Sequence, residues 1–534
     1  MRLLHHMLEK AARRRPEKEA LVHGPERWSF RSLDEGANRI ARALRGAGLE
    51  PGDRVGILLP NSVHFVCAYV GISKAGGISV PINTAVNAEG LRYILDDAAI
   101  RVLIFHRSFR ASLPHGAGAR LACFMDGGSS AAPATDEREP AGVRVRLLGD
   151  ILREESSAPA GLDVSDQDLA CILYTSGSTG KPKGVMLSHA NIIENTRSIV
   201  AYLGLTENDR MMVVLPFFYC YGLSLLHTHL WVGGSLVLEN QFLYPNRVLQ
   251  KMKEERVTGF AGVPSTFSIL LRRSNLRAFS FDDLRYVTQA GGAMAPVLIR
   301  ELHQSLPRTR VFIMYGQTEA TARLSYLPPE YLEEKIGSVG MAIPNVTLKI
   351  VNERGESVKP GETGEIVASG PNVMKGYWNS PDETCQVIDA HGDLRTGDLG
   401  RVDEDGFLYI VDRKKDMIKS GAHRVSAKEV EAVILEEASV LECAVIGVED
   451  EVMGESIKAF IVPVSRDGLD PESIIRFCKE RLPPYKVPRW VEVIRALPKN
   501  EAGKVMKARL KQPQETKTQG PGQPGSLPAR RNGE

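Results

Sequence analysis

Apolar and polar positions alternate in blocks along the first 110 or so residues. Ser32–Ala47 reads as a helix, Arg54–Leu59 as a short apolar strand, and Ser62–Lys74 as a helix again. Such alternation predicts an α/β layered fold with largely parallel sheets. At the start of the chain, Leu3, Leu4, Met7, Leu8 and Ala11 form one face of an amphipathic helix. That helix is expected to pack on the body of the protein rather than lie on a membrane surface. Leu169–Leu173 and Val185–Leu187 flank a polar stretch, Tyr174–Gly184, and read as two strands joined by a loop. Met211–Leu215 and Ser235–Leu238 read as further strands, and Asp126–Gly142 as an exposed loop.

Near residue 400 the pattern changes. Leu399–Val402 and Phe407–Val411 flank Asp403-Glu-Asp-Gly406, a hairpin with an Asp-Gly turn. Its acids read as turn residues, since the spacing of a calcium loop is missing. The charge run Asp412–Asp416 suits an exposed linker, so a domain boundary is expected near Asp412. A unit of about 100 residues follows, with a helix (Ala427–Glu437), two strands (Cys443–Gly447 and Lys458–Val464) and a second helix (Pro471–Arg481). The expected division is 1–412, 413–510 and a disordered tail, 511–534, rich in Pro, Gly, Gln and charge.

Length and composition agree with this picture. A chain of 534 residues exceeds the size of a single core, so two or more domains are expected. Its 43% hydrophobic and 25% charged residues are ordinary for a soluble globular protein. A net charge of +2 gives no support to nucleic acid or another polyanion as partner. Seven cysteines without a CxxC pair argue against a zinc site or a disulfide framework and favour a reducing, cytoplasmic setting. No apolar run approaches the roughly 18 residues of a membrane span, and the first residues lack the apolar core of a signal peptide.

The candidate chemistry begins in Tyr174–Gly184. Thr175, Ser176, Gly177, Ser178, Thr179, Gly180, Lys181 and Lys183 bring hydroxyls, backbone N–H groups and cations into one segment, as triphosphate oxygens require. Pro182 after Lys181 excludes a Walker A loop. A second cluster, Met314-Tyr-Gly-Gln-Thr-Glu-Ala320, follows the apolar Val311–Met314, placing its polar residues at the mouth of a strand. Tyr315 is suited to stacking on a purine, Thr318 to donating to a phosphate and Glu319 to ligating Mg²⁺, although a Thr-Glu pair alone also reads as a helix cap. Asp398, after Gly397, can accept ribose hydroxyls or form a simple Asx turn. Lys504 follows Gly503 in a polar loop, where most lysines are merely solvated.

Together these motifs resemble the adenylate-forming superfamily of acyl-CoA synthetases, firefly luciferases and peptide-synthetase adenylation domains. The resemblance runs from about residue 5 to about residue 510, with Tyr174–Gly184, Tyr315–Glu319, Thr396–Asp398, Arg413 with Lys419–Arg424, and Gly503-Lys504 in the family's order. It implies an α/β protein with a large N-terminal domain of two αβ-layered subdomains plus a small β-barrel-like one. A small, mobile α+β C-terminal domain follows. By the same resemblance, the glycine-rich loop grips the pyrophosphate of ATP, and Gly291-Gly292-Ala293 with Tyr315 and Gly316 frame adenine. Thr318 touches the α-phosphate, Glu319 holds Mg²⁺, and Asp398 and Arg413 hold the ribose. Lys504 bridges the substrate carboxylate and the α-phosphate. Rotation about a hinge at Lys415 then removes Lys504 and brings in Gly421, Ala422 and Arg424 beside a thiol tunnel.

The implied acyl pocket draws on Tyr219, Cys220, Tyr221, Gly222, Val263, Ala322 and Arg323. Tyr219 stands where relatives often carry His, as an aromatic gate or a plain core aromatic. No acid lies between Leu215 and Leu223, which disfavours amino acids because a buried α-ammonium lacks a partner. Arg323 falls at the pocket floor, where it either meets a second polar or anionic group of the acid or turns to solvent or a surface acid. Ala422 replaces a glycine beside the thiol tunnel and Lys507 an arginine; Lys486 and Arg489 are candidates for a basic groove that holds the CoA 3′-phosphate. The expected activity is ATP- and Mg²⁺-dependent activation of a fatty or aryl carboxylic acid to acyl-AMP, then transfer to CoA. The alternatives are loading of a carrier-protein phosphopantetheine and amino-acid adenylation. The pattern does not name the acid or the oligomeric state.

Overall fold

A computed structural model describes residues 1–113, 122–127, 145–159, 162, 164–176, 181–420, 423–450, 453–465, 468–500 and 503–511. Most of the loop at Asp126–Gly142 and nearly all of the tail from 511 therefore lie outside the described residues. The described residues form mixed α/β layers, with a large N-terminal domain and a small C-terminal one. No helix among them is long and apolar enough to cross a membrane.

The first sheet has seven strands, in the order Val145–Leu147, Ala122–Asp126, Val102–His106, Arg54–Leu58, Ile78–Pro81, Leu169–Ser176 and Pro182–Ser188. All neighbours are parallel except the last pair, the two strands that carry the glycine-rich loop. The second sheet has nine strands. Its parallel centre runs Arg310–Tyr315, Tyr286–Gln289, Gly259–Gly262, Arg210–Val213, Ser235–Leu238 and Glu19–His23. Between the sheets, the helices Phe30–Gly46 and Val63–Lys74 share one large core with both.

Local signals account for the helix starts. Ser62 caps Val63–Lys74 by accepting from the Phe65 amide. Ser29 and Ser32 form a reciprocal capping box, so the second helix starts at Phe30, two residues before the expected Ser32. The N-terminal helix His6–Arg14 packs on the body through Met7, Leu8 and Ala11.

A four-stranded antiparallel sheet follows: Thr347–Val351, Gly364–Ser369, Leu394–Val402 and Leu408–Arg413. The predicted hairpin is present, with Gly406 at φ 84° in its turn. Asp403 and Asp405 both bind the Lys335 ammonium, so the acids serve the turn and an ion pair. The charge run is less exposed than predicted. Asp412 is buried, accepting from Ser426 Oγ, and Arg413 is the last residue of a strand. Only Lys414 and Lys415 of the run are exposed, in a turn closed by the Asp416 amide on the Arg413 carbonyl.

The C-terminal unit pairs Val440–Asp450 with Gly454–Pro463 in a long antiparallel hairpin, flanked by Ile418–Ser420, His423–Val425 and Trp490–Val493. The predicted strand Cys443–Gly447 is the centre of the first arm, and Lys458–Val464 overlaps the second half of the other and overruns it by one residue. The observed helices are shorter than predicted, Ala427–Ile434 and Pro471–Lys479. This unit touches the large domain where Ser268 Oγ donates to the Leu441 carbonyl and Arg273 to the Pro463 carbonyl.

Candidate active site

Three neighbouring parallel strands end side by side, and candidate residues follow each end. Gly259–Gly262 leads into Val263, Tyr286–Gln289 into Gly291-Gly292-Ala293, and Arg310–Tyr315 into Gly316–Glu319. The next strand, Arg210–Val213, leads into Pro216–Gly222. Carboxyl ends of parallel strands are where open α/β sheets bind ligands, because loops there can diverge around a crevice.

Tyr315 closes the last of these strands, and its hydroxyl donates to Asp398 Oδ2 at 2.7 Å. Arg413 Nε lies 3.3 Å from the other oxygen of Asp398. Burial, then the neighbouring carboxylate, keeps the Tyr315 phenol protonated far above its ordinary range. Asp398 is therefore not a simple Asx turn, although Thr396 Oγ1 does accept from its amide.

Gly316 is required by its surroundings. A Cβ there would lie 2.1 Å from the Ala322 carbonyl oxygen. The chain then reverses through Thr321 and Ala322, both non-glycine residues at positive φ, 62° and 135°. Asn372 Nδ2 donates to the Ala320 and Arg323 carbonyls, and Asn195 Nδ2 also reaches Arg323 O. Thr318 Oγ1 meets Cys220 Sγ at 3.4 Å, tying this loop to the Pro216–Gly222 strip. Tyr377 donates to Glu319 Oε1 at 3.0 Å.

Tyr377 also connects the glycine-rich loop to Glu319. Lys183 Nζ lies 5.2 Å from the centre of the Tyr377 ring and 2.7 Å from Glu383. Thr175 is half-buried on its strand, and Lys181 is exposed. Gly177, Ser178, Thr179 and Gly180, with the side chain of Ser176, lie outside the described residues. Gly421 and Ala422 do too, while Arg424 is exposed on the strand His423–Val425.

Lys504 comes from the C-terminal unit. Gly503, at φ 76°, packs so closely that a Cβ would lie 3.0 Å from Val263 Cγ2 and 3.1 Å from Ser265 Oγ. Lost hydration, then the Arg413 charge, pull the Lys504 ammonium down to about 8, while Asp398 opposes the drop. The side chain remains open to solvent in the cleft, which limits that effect. Lys428 is lowered for the same first reason and also feels Asp398 and Asp412. Lys504 thus shares a charge cluster with Asp398 and Arg413 and is not a lone solvated lysine.

In the Pro216–Gly222 strip, Tyr219 accepts from Asn83 Nδ2 at 3.3 Å, and Tyr221 is buried with its hydroxyl on Thr288. A Cβ on Gly222 would lie 2.1 Å from the Pro216 carbonyl oxygen. A solvent-facing Arg323 is ruled out. It is 2% exposed, and its guanidinium carbon lies 4.8 Å from the centre of the Tyr221 ring. Both candidates for a basic groove are engaged in ion pairs. Lys486 pairs with Glu429 at 2.6 Å and Arg489 with Asp450.

Several residues escaped sequence reasoning. Tyr377 had one signal, a glycine followed by two aromatics in a polar stretch. Asn195, Asn372 and Lys428 had none, because their partners are distant in the chain. Lys507, which stands in place of an arginine, pairs with Glu431 at 2.7 Å.

A single carboxylate such as Glu319 suits Mg²⁺, which keeps several waters and takes its remaining ligands from phosphates. The chain matches the AMP-binding enzyme family over residues 8–378 and the AMP-binding enzyme C-terminal domain over 429–504. It belongs to that family. It is 34% identical to a feruloyl-CoA synthase of Amycolatopsis, across 94% of this chain and 97% of the relative. The structure of the anthranilate CoA ligase AuaEII in complex with anthranoyl-AMP superposes with a TM-score of 0.86 at 28% identity, covering 95% of this chain and 96% of the other. The o-succinylbenzoate CoA synthetase of Bacillus subtilis, in complex with ATP and magnesium ion, superposes with a TM-score of 0.81 at 30% identity, covering 95% and 99%.

Proposed function

We propose that this protein is an AMP-forming acyl-CoA ligase for a carboxylic acid of the fatty or aryl class. The observation that carries the reading is the seating of the Gly503-Lys504 loop on Val263 and Ser265 of the large domain, where Lys504 feels the charges of Arg413 and Asp398. In this reading the division at 412/413 separates an adenylating domain from a lysine-bearing one.

The adenylation step brings two anions together, so its barrier is largely electrostatic. The acid's carboxylate oxygen attacks the α-phosphorus, the bond to the bridging oxygen breaks, and pyrophosphate leaves. Lys181 and Lys183, with the hydroxyls Thr175, Ser176, Ser178 and Thr179, hold the leaving phosphates. Gly291, Gly292, Ala293 and Tyr315 frame the adenine, while Asp398 and Arg413 hold the ribose. Thr318 and Lys504 meet the α-phosphate, and Lys504 also neutralises the incoming carboxylate. Glu319 would hold magnesium, which would supply charge neutralisation on the phosphates. The thiol sulfur of CoA then attacks the acyl carbonyl, the carbonyl–oxygen bond to AMP breaks, and AMP departs. The turn at Lys415 serves as the hinge between the two steps, with Gly421, Ala422 and Arg424 entering beside the thiol.

Amino acids fit poorly. The strip 216–222 holds no acid, and the buried Arg323 cation would repel an α-ammonium. A reducing, cytoplasmic setting belongs to the same reading, supported by seven scattered cysteines with no CxxC pair. The test is ATP–pyrophosphate exchange across fatty, aryl, hydroxy and amino acids, followed by product analysis with CoA. Exchange with fatty or aryl acids and formation of AMP and thioester are expected. Exchange with amino acids alone contradicts the reading, and adenylate without CoA thioester points to a carrier-protein acceptor.

A further inference from the structure

Arg323 stands apart from the other well-buried cations of this protein. Lys74 is 5% exposed and binds Asp34 at 2.7 Å and Glu9 at 3.2 Å. Lys335, 9% exposed, binds Asp403 at 3.1 Å and also Asp405. Arg323 is more deeply buried than either, at 2%, yet among the described residues no carboxylate lies within 4.0 Å of it. Its Nε donates to the Tyr202 hydroxyl at 3.2 Å, and Nη1 makes a long bond of 3.5 Å to the Ala322 carbonyl. Nη2 donates to no described atom, since only Nε and Nη1 make hydrogen bonds. A guanidinium removed from water without an anion is costly, and one ring face beneath it offsets only part of that cost.

The backbone that carries it is also held in place. Asn195 and Asn372 both donate to the Arg323 carbonyl, and the two residues before it are fixed at positive φ. Tyr221, beneath the guanidinium, directly follows Cys220, the residue that Thr318 touches. The fork therefore lies beside the candidate acyl site with one arm free. A carboxylate is the anion that an organic acid can bring to that free arm, in a charge-assisted hydrogen bond.

We propose that Arg323 determines acid specificity and that the acid activated here carries a second, distal carboxylate. This rests on the acyl-CoA ligase reading above. The test compares dicarboxylic acids, from succinate to dodecanedioate and the phthalate isomers, with their monomethyl esters in ATP–pyrophosphate exchange. In the wild-type protein, kcat/KM for at least one diacid should exceed that of its ester by roughly tenfold to a hundredfold. Arg323→Leu should bring that ratio close to one through the KM for the acid, and Arg323→Lys should keep an intermediate preference. Wild-type ratios near one throughout, or a ratio unchanged in Arg323→Leu, would overturn the proposal while leaving the ligase reading intact. Should Arg323→Leu fail to fold, the wild-type pairs and Arg323→Lys still decide. Exchange with no acid of any class would remove the ligase reading and this proposal with it.

Discussion

Arg413 lies directly opposite Asp398 in the register of two antiparallel strands, with its Nε 3.3 Å from Asp398 Oδ1. Tyr315 binds the other oxygen, so the carboxylate is aimed from both sides. If it receives the ribose hydroxyls, Asp398→Asn keeps the shape and removes the charge. The KM for ATP should then rise roughly tenfold to a hundredfold, since hydrogen bonds to a charged acceptor are the stronger kind. Steady-state exchange kinetics measure this, and an unchanged KM would remove Asp398 from the ribose site.

The Lys504 ammonium, lowered to about 8 by lost hydration and then by Arg413, is present below that pH and lost above it. In the free enzyme, kcat/KM for adenylation should therefore fall as pH rises through about 8. Bound ATP adds negative charge that favours the ammonium, so the limb in kcat should lie at higher pH. A kcat/KM profile that stays flat from about pH 7 to about pH 9.5 would contradict the role.

Gly503 gives a steric test of the same arrangement. Its φ of 76° and the close approach of Val263 and Ser265 leave no room for a branched side chain. Gly503→Val should slow adenylation at least about tenfold by keeping the lysine loop out of the cleft. Thioester formation from a preformed acyl-adenylate, measured separately, should change by less than about threefold. Parallel losses would mean that the glycine matters only for folding.

How much was legible in the sequence depends on how far apart the partners lie. The strands around Tyr174–Gly184 and the hairpin through Asp403–Gly406 follow from local pattern, because alternation and turn chemistry are short-range. The Tyr315 and Asp398 assignments came through family motifs, and the structure joins them across 83 residues. The Tyr377–Glu319 contact spans 58 residues and had no periodic signal. Arg323 stayed open between pocket floor and solvent, because the short stretch Ala320–Leu324 carries no periodic signal. Only the packing of Tyr202, Tyr221 and the Asn372 clamp buries it.

Lys507 and Glu431 supply a stability test within the C-terminal unit. Burial pushes the Glu431 carboxyl up, and Lys507 opposes the rise. Lys507→Met leaves a partly buried carboxylate unpaired and should cost about 2–4 kcal/mol near pH 8. With its folded-state pKa raised above the unfolded value, Glu431 takes up a proton as pH falls, which relieves the cost. Urea unfolding should therefore reveal a smaller destabilisation at about pH 5 than at about pH 8. Equal losses at both would contradict this.

The central claim is that Lys504 serves the first half-reaction and leaves before the second. Lys504→Ala measured in both halves tests it most directly. ATP–pyrophosphate exchange should fall by about two orders of magnitude or more, since a fixed cation at the developing charge is lost. Thioester formation from preformed acyl-adenylate and CoA should remain within about threefold of the wild-type rate. Equal losses in both halves would contradict the account.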